Sequence, residues 1–132
     1  MKKLVDETST QKLYWDEDNQ IVFGECLDTI HSEEKAKENI DAYERVRNRV
    51  GKEKIRVLVD MRAIKGVSRD AREYYANERT ASIQRATALV IKSPLSRVIA
   101  NFFMGLNRPL TPTRMFTDVD EAIEWLQSFS DA

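Results

Sequence analysis

Two short runs, IRVLVD (Ile55–Asp60) and ATALVI (Ala86–Ile91), constrain this chain more than anything else in it. Apolar residues occupy consecutive positions in each, so neither side of the strand is left for water. Strands of that kind belong inside a parallel sheet with helices on both faces. The segments between and after them carry the helical repeat that such a sheet requires.

The first helical segment spans Ser32–Val50. Ala36, Ile40, Tyr43, Val46 and Val50 share one face, Glu33, Glu34, Lys37, Glu38, Asp41, Glu44 and Arg47 the other. Ser32 suits the N-cap, and Gly51 ends the helix. A second helix is expected from about Arg69 to Ser82, with Ser68 as its cap and a thin stripe of Ala71, Tyr74, Tyr75 and Ala81. Ser93 and Pro94 open a third, to about Asn107, with Leu95, Val98, Ile99, Phe102, Phe103 and Leu106 on one side. Arg114–Phe116 is a short strand, and Asp118 with Glu121 starts the last helix. Before all of these, Gln11–Trp15 and Ile21–Glu25 flank the turn cluster Asp16–Asn19 and read as a hairpin. The expected order is β-β-α-β-α-β-α-β-α: one α/β domain over residues 11–130, a mainly parallel sheet with an antiparallel N-terminal edge hairpin. Residues 1–10 are expected to be partly disordered.

The formal net charge of −1 conceals a division. Residues 55–114 hold 11 Lys and Arg against 4 Asp and Glu, whereas residues 1–54 and 115–132 are acidic. The flanking helices are expected to neutralise the middle; the sharper alternative is an anion site where Arg62, Lys65, Arg69 and Lys92 meet two helix N-termini. Nucleic acid is not an expected partner, because the basic segment lacks interleaved exposed aromatics. The single cysteine, Cys26, precludes an internal disulfide and fits the cytoplasm. No apolar run reaches bilayer length, so an integral membrane protein is not expected.

Catalytic groups are sparse. His31, the only histidine, reads as a solvated loop residue and Cys26 as a small apolar filler. No metal or other cofactor is expected, and no phosphate-cradling glycine loop is present. The sequence reading is therefore of a non-enzyme.

The element order, the strand ending at Asp60 and the closing MFTDVDEAIEWL resemble the STAS superfamily, in its SpoIIAA-like branch of anti-sigma-factor antagonists. The closing run, Phe116, Thr117, Asp118, Ala122, Trp125 and Leu126, is a cap plus a core stripe. The resemblance implies a SpoIIAA-like fold and regulation through a protein partner. Asp60, Met61, Ile64 and Val67 match the stretch leading to the family's switch serine. The phosphate-accepting position falls on Arg69, which has no hydroxyl, and Ser68 stands one residue earlier, where the family has aspartate.

Two functions are expected. One is a non-catalytic regulatory or protein-interaction module, working on a protein partner or its own copy. The other is a carrier or sensor of a small apolar or anionic ligand held under helix 94–107. The candidate surface comprises Arg62, Lys65, Ser68, Arg69, Arg72 and Tyr75, with Phe103 and Met104 of the third helix as residues exceeding the needs of a core.

Overall fold

Ile55–Asp60 (β5) and Gln84–Val90 (β7) lie side by side and parallel in the interior of a six-stranded sheet. The computed structural model describes residues 2–92 and 109–129. Within them the sheet order is β1-β2-β3-β5-β7-β8, with β1 Lys2–Glu7, β2 Gln11–Asp16, β3 Ile21–Cys26 and β8 Thr113–Phe116. β1, β2 and β3 pair antiparallel; β3, β5, β7 and β8 pair parallel. The expected third helix, 94–107, including Phe103 and Met104, lies outside the described residues.

Residues 2–7, expected to be loose, instead form β1 at the border of the sheet, which makes β2 an inner strand. Local pattern does not explain this; tertiary contacts from α1 (Glu33–Val50) do. Arg45 binds the Asp6 carboxylate through Nε and Nη2, at 2.9 and 3.1 Å, and Arg49 donates to the Val5 carbonyl. The Arg45 guanidinium holds the Asp6 carboxyl below its usual range.

α1 begins and ends where its caps dictate. The Ser32 hydroxyl accepts the Lys35 N–H, and Gly51 takes φ 74°, a left-handed turn that glycine adopts without steric cost. Its buried face packs Ile40, Tyr43 and Val46 against Leu13, Val22, Ile55 and Val57. Gly24 on β3 is needed there, because a Cβ would collide with the Tyr43 hydroxyl.

The second helix is two helices. α2 runs Arg69–Tyr75 and α3 runs Glu78–Ile83, divided at Asn77, whose Oδ1 accepts the Thr80 N–H at 3.0 Å. Asparagine caps a helix better than it continues one, so the chain restarts there. The opposite face of the sheet is covered by α4 (Val119–Gln127), capped by Asp118 through the N–H groups of Asp120 and Glu121. Ala122 and Leu126 pack there with Phe23, Leu58, Ala86, Ala88 and Val90.

A two-stranded parallel ladder, not foreseen from the sequence, joins β4 (Ile30–His31) to β6 (Gly66–Val67). The Lys65 N–H donates to the Thr29 carbonyl and the Ser68 N–H to the His31 carbonyl, each at 2.9 Å. This ladder fixes His31 beside the start of α2.

Candidate functional site

The ladder turns His31 inward. It is 1% exposed, not solvated as the sequence suggested, and it lines a cavity of about 80 Å³. The cavity lies between the α1–α3 side of the sheet and those helices. Ile40, Val59, Met61, Ile64, Val67 and Leu89 supply apolar wall; Gln11, Cys26, His31, Tyr43, Arg72 and Tyr75 supply the polar and polarisable groups.

Those groups are linked in pairs and triads. Gln11 accepts from the Tyr43 hydroxyl at 2.8 Å and donates to Cys26 Sγ at 3.5 Å. The Tyr75 hydroxyl lies 2.7 Å from His31 Nδ1 and accepts from Asn39 Nδ2 at 2.9 Å. Asn39, fully buried on α1, also bonds Thr8 and Thr10. Among the described residues His31 Nε2, by contrast, has no hydrogen-bond partner.

Burial sets the protonation of the cavity. It lowers the His31 ring to about 4, so the imidazole is neutral at pH 7. Burial, helped by the charge of Asp60, pushes the Cys26 thiol up to about 12. Burial also raises the Tyr43 and Tyr75 hydroxyls above their usual range. Cys26 and His31 thus share a cavity without forming a thiolate–imidazolium pair. Among the described residues, no group of three or more His, Cys, Asp or Glu could hold a metal ion.

The basic residues of the loop after β5 and of the start of α2 have acidic partners. Arg62 pairs with Asp60 at 2.7 Å, Lys65 with Asp28 at 3.8 Å, and Arg69 with Glu73 at 3.3 Å. Burial works to raise the Asp60 carboxyl, but hydrogen bonds from Arg62 outweigh it and hold that carboxyl low. Ser68 is exposed and caps α2, its hydroxyl accepting the Ala71 N–H at 3.1 Å. Arg72 is half-buried and donates to the Val67 carbonyl. Tyr75 points to the cavity, so of the six described surface candidates two, Arg72 and Tyr75, meet there; the other four stand on the exposed loop and helix start.

Sequence reasoning missed Gln11, Asn39 and His31 as one group. The available signal was polar: Asn39 sits beside Ile40 on the apolar side of α1, where a buried amide requires partners.

Comparisons with known proteins bear on the family and the fold. The family described as "Domain of unknown function (DUF7793)" matches residues 14–130. A solved structure from Shewanella loihica PV-4, an uncharacterized protein of the DUF3478 family with a SpoIIAA-like fold, superposes with a TM-score of 0.59. It is 15% identical in sequence and covers 92% of this chain and 98% of its own. At that identity the likeness concerns the fold. No curated protein matches the chain significantly.

Proposed function

The chain belongs to the DUF7793 family and has a SpoIIAA-like fold, and on that premise we propose that it is a non-catalytic regulatory binding module whose cavity receives a small, largely apolar molecule. The observation that carries this reading is the cavity itself: apolar walls with a few convergent polar groups, the composition of a small-molecule site. Parallel sheets place such sites beyond the carboxyl ends of their strands, and Cys26 and the β5-following Met61 lie at those ends.

The protonation states support binding over chemistry. A histidine at about 4 is too weak a base for proton abstraction near neutrality, and a thiol at about 12 is not a nucleophile there. A cytoplasmic setting fits the single buried cysteine, which has no disulfide partner.

α2 suits a module that reports occupancy to a protein partner. Its Tyr75 touches the cavity while Arg69 and Glu73 face solvent. Arg62, Lys65 and Ser68 stand on the loop that leads into it.

Titrating the labelled protein with 2-methyl-1-butene tests the cavity. Saturable amide shifts concentrated at Cys26, His31, Val59 and Tyr75 are expected. Shifts scattered over the surface, or none, would refute the reading.

A further inference from the structure

The hydrogen bonds around Asn39 determine where the proton of His31 sits. The Thr8 hydroxyl accepts two backbone N–H groups, from Thr10 at 3.2 Å and Gln11 at 3.0 Å. Its own proton is directed to Asn39 Oδ1, 2.6 Å away. That contact identifies the Asn39 oxygen, so the amide nitrogen faces Tyr75 and donates to its hydroxyl. A phenol has one proton. With Asn39 donating to it, the remaining neighbour for the Tyr75 proton among the described residues is His31 Nδ1, at 2.7 Å. Nδ1 is then an acceptor, and the neutral ring carries its proton on Nε2. The relay starts at two backbone amides and ends on an N–H with no partner among the described residues, on a residue 1% exposed that lines the cavity.

A buried donor left unpaired is destabilising. A ligand that supplies the acceptor recovers the hydrogen bond as well as apolar contact. We propose that His31 Nε2–H is the recognition donor of this cavity, and that the ligand is a small neutral molecule presenting one carbonyl-type oxygen to it and apolar surface elsewhere. The proposal rests on the reading of the cavity as a small-molecule site and names the class of molecule. Neutrality follows from the surroundings. The donor itself carries no charge, and the Asp60 carboxylate acts on Cys26 at the cavity wall, which together favour a neutral ligand over an anion. The lining guanidinium, Arg72, already commits Nη1 to the Val67 carbonyl. A volume of about 80 Å³ is roughly half that of a dry cavity known to admit benzene, which suits a fragment of about five heavy atoms.

Three isosteres separate the possibilities: 2-butanone, 2-methyl-1-butene and propionate. They share a shape and differ in presenting a neutral acceptor, no acceptor or an anionic one. The chain has one histidine, so its imidazole nitrogens are assigned without ambiguity in a long-range ¹H–¹⁵N spectrum. The wild-type ring is expected to show a protonated Nε2 and a bare Nδ1 at pH 7. Butanone should bind roughly five- to tenfold tighter than the alkene, tighter also than propionate, and should move the Nε2 resonance. Tyr75→Phe removes the proton that holds the tautomer, so an Nδ1-protonated population should appear and the advantage of butanone should shrink.

A wild-type ring protonated on Nδ1 would overturn the proposal. Equal affinity for ketone and alkene would leave the cavity as a binding site and remove His31 as its selector. Tightest binding of propionate would overturn the neutral class. If none of the three binds, the Nε2–H meets water alone, and the cavity reading fails together with the proposal.

Discussion

Against α4 the sheet presents Ile21, Phe23, Leu58, Ala86, Ala88, Val90 and Phe116, and the helix answers with Ala122 and Leu126. Trp125 stacks edge-on with Phe129 at 4.9 Å, and its ring also meets Phe116 at 5.7 Å. The one buried cation on this side, among the described residues, is Arg56. It donates to the carbonyls of Asn19, Gln20 and Phe129, tying a turn to the end of α4. Against α1–α3 the sheet presents Leu13, Val22 and Val57, but also Gln11, Cys26 and Thr87. One side is closed by apolar packing. The other mixes packing with a hydrogen-bonded chain that stops one partner short. On the proposed reading, stability and recognition are divided between two faces of one sheet, and alternation along each strand lets a residue serve one without disturbing the other.

The comparison breaks most visibly on the closed side. Leu126→Ala removes a fully buried side chain and should cost about 3 kcal/mol in urea denaturation. The affinity for 2-butanone should be unchanged; a loss of affinity there would show that the faces are coupled. Acid sharpens the contrast from the other side. The folded-state value of His31 lies below its unfolded value of 6.5, so the unfolded chain takes up protons first. Stability is complete above about 6.5 and declines as the pH falls towards 4. Between pH 7 and pH 5 the loss should be about 2 kcal/mol, before carboxylates with lowered values, such as Asp6 and Asp60, begin to protonate. His31→Gln should flatten that slope, whereas Leu126→Ala should keep it. The smallest effect is at the rim: Ser68→Ala deletes the α2 cap and should cost about 1 kcal/mol, measured by thermal unfolding, with Ser68→Asp restoring most of it.

The parts legible in the sequence are those governed by neighbouring residues. Ser32, Gly51, Ser68 and Asp118 announce helix ends by their own chemistry, and each end is found where it was read. Consecutive apolar residues in β5 and β7 require burial on both sides, and that placed them inside a parallel sheet. The SpoIIAA-like order followed from these. What was not legible depends on distant partners. β1 exists because α1 supplies Arg45 and Arg49 some forty residues later. His31 looked like a loop residue because two-residue strands have no periodicity, and β4 forms only when β6 arrives beside it. Tyr75 read as a surface candidate on the thin stripe of the second helix, since nothing near it in sequence reveals that Asn39 and His31 await its hydroxyl.

The position of β1 bears on self-assembly. An edge strand offers unpaired amides and carbonyls on which another chain can add, the route by which sheets grow into fibrils. Here the register of β1 on β2 slips between Leu4 and Asp6, so a straight incoming strand finds irregular spacing along its track. Lys2 and Lys3 add positive charges that a second copy would have to bring close together. The same short strand that widens the sheet thus discourages its further extension.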